Sequence, residues 1–139
     1  MVDFTKLCLA SGLKCFEVDR RKVKINDESI EDVKLIFHEI KSKNECLFLA
    51  RNIVDKVDYA IKNINYDENK KRCKVKLRKI SPKLLNKIIQ KHYNAEIEDY
   101  DTLYDYVYKI FKREILGRYV PLFDEVLTAH QVANEYLNL

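Results

Sequence analysis

Cys73, Val75 and Leu77 alternate with Lys74, Lys76 and Arg78 in the middle of the chain. A period of two puts the apolar set on one face and the charged set on the other, the pattern of a half-buried β-strand. Lys22-Val23-Lys24-Ile25 repeats it. With a less regular run from Leu13 to Val18, it predicts a hairpin around Asp19-Arg20-Arg21. If this hairpin pairs with strand 73–78, the sheet carries Lys22, Lys24, Lys74, Lys76 and Arg78 outward, and Val23, Ile25, Val75 and Leu77 inward. Like charges facing each other across a sheet are destabilising. A face that gathers them calls for a reason, and an anionic partner is one.

Elsewhere the apolar spacing is three and four, which predicts helices. Asp3 can cap a short helix over 3–10, and Gly12 can take the left-handed conformation that ends it. Ile30, Val33, Phe37 and Ile40 form the stripe of a helix over 30–41. Ser42-Lys43-Asn44-Glu45 matches a capping box. It opens a helix over 45–64 whose stripe runs through Cys46, Ala50, Ile53, Val57, Ala60 or Ile61, and Ile64. This is expected to be the central core helix, with Arg51–Asp55 and Asp58–Lys62 as outer pairs. Ser81-Pro82 is a cap followed by a proline at the first helical position, so a helix runs over 82–93 with Leu84, Leu85, Ile88 and Ile89 inside. Asp101 is expected to cap a helix over 102–116 that buries Leu103, Val107, Ile110 and Phe111. Gly117 would stop it and Pro121 would open a last helix over 121–137, buried through Leu122, Phe123, Val126, Leu127, Ala133 and Leu137. Alternatively the last two are one helix kinked at Pro121.

The expected fold is therefore a single α+β domain over 1–139, mostly helical. A small antiparallel sheet, the N-terminal hairpin plus strand 73–78, packs on about five helices. The length of 139 residues suffices for a proper core, and the apolar content of 47% is that of a globular chain. With two glycines and two prolines, helices with short connections are favoured over a many-turned β fold.

Charge adds the most informative feature. Between Lys70 and Lys91 there are ten basic residues and no acidic one: Lys70, Lys71, Arg72, Lys74, Lys76, Arg78, Lys79, Lys83, Lys87 and Lys91. Outside this block 16 basic residues stand against 22 acidic ones. Lys83, Lys87 and Lys91 recur at i, i+4 and i+8 and so form a ridge on their helix. Such a strand and helix suit contact with nucleic-acid phosphates, where Lys and Arg displace bound counterions. An acidic protein or an anionic membrane surface would be recognised by the same charges. So would nothing at all, if the lysines only keep a face solvated.

The remaining chemistry narrows the field. Cys8, Cys15, Cys46 and Cys73 show no paired metal-ligand spacing with one another or with His38, His92 and His130, so no metal site is expected. All four are expected to be buried reduced thiols, which fits a cytosolic or nuclear compartment. No apolar run has membrane-spanning length, and the N-terminus does not resemble a secretion signal. An excess of Lys, Asn, Ile and Tyr hints at an A/T-rich genome such as a virus or parasite carries. Tyr100, Tyr104 and Tyr108 form a row that suits base stacking or a protein interface, or simply the flank of a core helix. The acidic run 96–101 is expected to cap a helix rather than bind metal. No glycine-rich phosphate loop and no nucleophile motif is present, so no cofactor is expected.

The leading expectation is a small non-enzymatic nucleic-acid-binding or regulatory protein. It would contact DNA or RNA through Lys22, Lys24, Lys70, Lys71, Arg72, Lys74, Lys76, Arg78, Lys79, Lys83, Lys87 and Lys91. Binding would be largely independent of sequence, since lysine makes point-charge contacts with phosphate. The alternative is a helical module that engages a host or partner protein through the tyrosine row or the C-terminal helix, or self-associates through that helix. A small enzyme would require a pocket gathering at least two perturbed titratable groups.

Overall fold

The computed structural model describes residues 2–93, 100–112 and 123–139. The chain divides into two compact units, Met1–Lys79 and Ile80–Leu139. The first contains α1 (Phe4–Ala10), β1 (Phe16–Ile25), β2 (Glu28–Phe37), α2 (Lys43–Val54), β3 (Tyr59–Asp67) and β4 (Arg72–Lys79). The second contains α3 (Pro82–His92), α4 (Tyr100–Lys112) and α5 (Phe123–Leu137). The class is α+β, with five helices and one antiparallel four-stranded sheet among the described residues. Strands make up more of the first unit than the apolar spacing predicts.

The helix starts follow local hydrogen bonds that the sequence announces. The Asp3 carboxylate accepts from the Lys6 amide, and Gly12 sits at φ +81° just past α1. The Ser42 hydroxyl accepts from the Glu45 amide, while Glu45 reaches back to the Lys41 amide. Ser81 caps α3 at the Leu84 amide, with Pro82 as the first helical residue.

The strands depart from expectation in three places. Residues 16–25 are one continuous strand, and the hairpin turns at Asn26-Asp27 instead of Asp19-Arg20-Arg21. Both turn residues have positive φ, 47° and 65°, as a two-residue hairpin of the primed type requires. The segment predicted as helix 30–41 is β2. The predicted helix 45–64 ends at Val54, and its second half is β3.

The sheet order is β1-β2-β4-β3. The expected pairing of residues 13–25 with strand 73–78 is not found: both expected strands of the hairpin fall in or just before β1, and β2 separates β1 from β4. In the register, Arg20 faces Val33 and Val33 faces Leu77, while Val18 faces Leu35 and Leu35 faces Val75. These residues share the face on which α1 and α2 pack, over a core of Phe4, Cys8, Leu35, Phe37, Ala50, Ile53, Val54, Tyr59 and Val75. Cys46 of α2 is bonded to Cys73 of β4 through a disulfide. Cys15 is exposed and Cys8 is a buried free thiol. The expectation of four buried reduced thiols is thus corrected, and with it the argument for a reducing compartment.

In the second unit α5 packs against both α3 and α4. Leu84, Leu85, Ile88 and Ile89 of α3 and Leu103, Val107 and Phe111 of α4 are buried, as the spacing predicts, while the expected Ile110 is half-buried. Among the described side chains of α5 the buried set is Glu125, Ala129, Val132, Ala133 and Tyr136, whereas of the expected residues Val126 and Leu137 are half-buried and Leu127 is exposed. The Tyr136 ring lies 5.1 Å from that of Phe111, and its hydroxyl accepts from the Ser81 amide at 2.9 Å. Asp101 lies within α4 rather than capping it from outside. Gly117, Pro121, Tyr119 and most of the acidic run 96–101 lie outside the described residues. No described helix is long and apolar enough to cross a membrane.

Candidate nucleic-acid interface

Strand geometry decides which cations of the first unit share a surface. Side chains alternate between faces, and residues paired across a ladder point the same way. Lys74 faces Ile36, Lys76 faces Lys34 and Arg78 faces Asp32. These residues lie on the face opposite α1 and α2, together with Arg72. By the same rule Lys22 and Lys24, two and four residues beyond Arg20, belong to the helix-bearing face. The expected outward row of Lys22, Lys24, Lys74, Lys76 and Arg78 is therefore split between two faces. Val23 and Ile25 likewise lie opposite Val75 and Leu77 rather than beside them.

Arg78 is not a free surface cation. It is 2% exposed and donates from Nε to Asp32 Oδ1 at 2.8 Å and from Nη2 to Asp32 Oδ2 at 3.0 Å. This two-pronged geometry matches a guanidinium to a carboxylate. Lys62 Nζ approaches the same carboxylate at 3.7 Å. Ile25, Ile30 and Ala60 are also buried on this face. Farther along it Lys76 is exposed and Lys34 and Lys74 are half-buried.

Between these two zones is a shallow depression of ≈ 200 Å³, lined by Asp19, Arg21, Asp32, Val33, Lys34, Lys62, Lys76 and Leu77. Each of the four strands contributes one cation to it: Arg21 from β1, Lys34 from β2, Lys62 from β3 and Lys76 from β4. Arg21 lies 3.5 Å from the Asp19 carboxylate. Lys34 and Lys76 face each other directly, and neither is in an ion pair with a described residue.

The other members of the basic block are dispersed. Lys70 and Lys71 are exposed in the β3–β4 turn. That turn is held by the Asp67 carboxylate, which accepts from the Asn69 and Lys70 amides. Lys79 is exposed on the helix-bearing side, opposite Tyr59. In the second unit Lys83, Lys87 and Lys91 are exposed along one side of α3, as their spacing predicts. Lys91 pairs with Glu135 at 3.0 Å, and His92 meets the same carboxylate at 2.5 Å. His92 first, and then Lys91, hold the Glu135 carboxyl below its usual range. Tyr104 and Tyr108 are half-buried and stacked at 6.2 Å, with Lys112 Nζ 5.6 Å from the Tyr108 ring centre.

Arg21 stands in the expected turn, whose basic residues the sequence adds to the charged surface, while Lys34 and Lys62 fall in segments expected to be helices. The signal that places Arg21 and Lys34 on adjacent strands is the Asn26-Asp27 turn, which makes 16–37 one long hairpin.

A second titratable cluster lies on the helix-bearing face. Arg20 Nη2 donates to Glu31 Oε1 at 2.7 Å, and the Tyr59 hydroxyl donates to the same oxygen at 2.6 Å. Arg20 also donates to the Val2 carbonyl and lies 5.3 Å from the Phe4 ring centre. Burial pushes Glu31 up, but the hydrogen bonds from Tyr59 and Arg20 outweigh it and hold the carboxyl below its usual value. Burial, and next the Glu31 carboxylate, push the Tyr59 hydroxyl up to about 12. Every member points into the packing of α1 on the sheet, so the cluster is structural. Among the described residues, no group of three or more His, Cys, Asp or Glu side chains is placed to hold a metal ion.

The fold and this face together define an α+β protein with a cation-lined antiparallel sheet. Comparison with protein-family models, with curated proteins and with solved structures returns no match.

Proposed function

We propose that this is a small non-enzymatic nucleic-acid-binding or regulatory protein. Its contact surface is the sheet face that carries Lys34, Lys62, Arg72, Lys74 and Lys76, extended by Arg21 and by Lys70 and Lys71 in the β3–β4 turn. The observation that carries the reading is the convergence of one cation from each strand, with Lys34 directly opposite Lys76. Juxtaposed ammonium groups repel, and an anion between them relieves the repulsion. Lysine predominates, which suits point-charge contact with phosphates rather than bidentate reading of bases. The ridge Lys83, Lys87 and Lys91 on α3 is a second phosphate-contacting element in this reading. The compartment carries no weight in it, because the Cys46–Cys73 bridge belongs more naturally to an oxidising environment.

The test is binding to short labelled double- and single-stranded DNA and RNA over a salt series. Affinity should fall steeply with salt, and Lys74→Glu with Lys76→Glu should weaken binding in a folded variant. Absence of binding at low salt sinks the proposal.

A second reading, of a different class, is a helical module engaging a protein partner. The stacked, half-exposed Tyr104–Tyr108 pair on α4 favours it, since tyrosines anchor protein interfaces. Binding that ignores salt and is lost in Tyr104→Ala with Tyr108→Ala would support this reading over the first.

A further inference from the structure

We infer that the depression bounded by Arg21, Lys34, Lys62 and Lys76 seats one phosphate dianion, the terminal monoester of a nucleic-acid strand. The inference rests on the nucleic-acid reading above and specifies which part of the ligand this site takes. Size comes first. Pockets for drug-sized ligands occupy roughly 300–1,000 Å³, and this one is ≈ 200 Å³. A single tetrahedral anion fits within it.

Charge comes next. Four cations and two carboxylates line the site, a surplus of two positive charges. Asp32 is engaged by Arg78 and Lys62, and Asp19 lies against Arg21. Lys34 and Lys76 therefore remain for the ligand. An internal phosphodiester carries one negative charge, while a phosphate monoester carries about −1.5 to −2 at neutral pH. Two unpaired ammonium groups on facing strands match the monoester. Asp19 and Asp32 sharpen the preference, because they repel a second phosphate that tries to share the site and hold Arg21 and Lys62 at its edge. Internal phosphates are left to the open cations Lys74, Lys70 and Lys71.

The probes are one single-stranded oligonucleotide made with a 5′-phosphate, with a 3′-phosphate and with hydroxyls at both ends. The intact protein should bind a phosphorylated form about tenfold more tightly than the hydroxyl form, the scale of one charge-assisted contact. Lys34→Gln with Lys76→Gln should abolish that difference, so that all three forms bind the variant equally and none more tightly than the hydroxyl form binds the intact protein. Thermal unfolding of the variant confirms that it is folded, and Lys70→Gln with Lys71→Gln should keep the end preference. Equal affinity for all three forms overturns end recognition while leaving the nucleic-acid reading intact. No binding of any form overturns both. An end preference that survives Lys34→Gln with Lys76→Gln overturns the assignment of the site.

Discussion

Lys34 on β2 and Lys76 on β4 stand directly opposite each other in the antiparallel ladder. Opposed like charges cost stability, with pair energies on the order of 0.2–1 kcal/mol. An acid at position 76 would turn that repulsion into attraction, as Asp19 does opposite Lys34 on its other side. Lys76→Glu should therefore raise stability to chemical denaturation by ~0.5 kcal/mol and at the same time weaken oligonucleotide binding. A gain in stability with unchanged binding would show that the pair serves only solvation.

Asp32 makes a different contribution. Its carboxylate holds the buried Arg78 guanidinium with two hydrogen bonds. Removing one partner of a buried pair leaves the other charge less compensated, typically at a cost of roughly 3–5 kcal/mol when no other partner takes over. Asp32→Ala should cost about 3 kcal/mol in urea unfolding, toward the lower end because Asp32 is partly exposed. Asp32→Ala combined with Arg78→Met should be less destabilised than Asp32→Ala alone, since the buried charge that lost the Asp32 carboxylate is gone. If the double variant is the less stable of the two, the ion pair is not the source of the loss.

How much of this was legible in the sequence depends on how local each signal is. Asp3, Ser42 with Glu45, and Ser81-Pro82 announced helix starts correctly, because a cap is a hydrogen bond over three residues. The segments 28–37 and 59–67 were misread because their apolar residues satisfy two periods at once. Ile30, Val33, Phe37 and Ile40 fit a helical stripe, while Val33, Leu35 and Phe37 fit a strand. Ile61 and Ile64 prolonged the stripe of α2 across the turn at 55–58, although Tyr59, Ile61, Ile64 and Tyr66 are strand-favouring types. The alternation at 22–25 was real, but alternation alone does not say which face meets the helices. Pairing through Val33, Leu35 and Phe37 decided that, and it sent Lys22 and Lys24 away from Lys76. The candidate site depends on pairing between distant segments, so its members in the basic block, Lys70, Lys71 and those of β4, are legible in the sequence, whereas Lys34 and Lys62 are not.

The Arg20–Glu31–Tyr59 cluster ties stability to pH at both ends. Glu31 is held below its usual value, so its contribution is present at neutral pH and is lost as pH falls through its lowered folded value. Tyr59 is pushed up to about 12 from 10. Below pH 10 its contribution is complete. Between about 10 and 12 the unfolded chain releases a proton that the folded protein keeps, so stability declines. Tyr59→Phe should flatten that alkaline limb, and it should shift the acid limb upward because Glu31 loses a donor. Urea midpoints measured at pH 4, 7, 9 and 11 should show both changes in one variant. An unaltered alkaline limb would mean that another group governs it.

The disulfide offers the most direct chemical check on the fold, because it joins α2 to β4 across 27 residues of sequence. If Cys46 and Cys73 are bonded, the native protein should react with a thiol reagent promptly at the exposed Cys15 alone. After denaturation without reductant the buried Cys8 should become reactive too, giving two thiols. Four should appear only after reduction. In the loop-entropy picture a bridge closing a loop of this length stabilises by about 3.5 kcal/mol, so Cys46→Ala with Cys73→Ala should lower the unfolding free energy by at least that much. Both half-cystines are wholly buried, so the substitutions also lose packing and the loss should exceed the entropic figure. Reduction of the intact protein, which keeps both sulfur atoms in place, separates the two effects. Four reactive thiols in the denatured, unreduced protein would instead mean that Cys46 and Cys73 meet in the core as free thiols. The sheet and α2 would then be held together by burial alone.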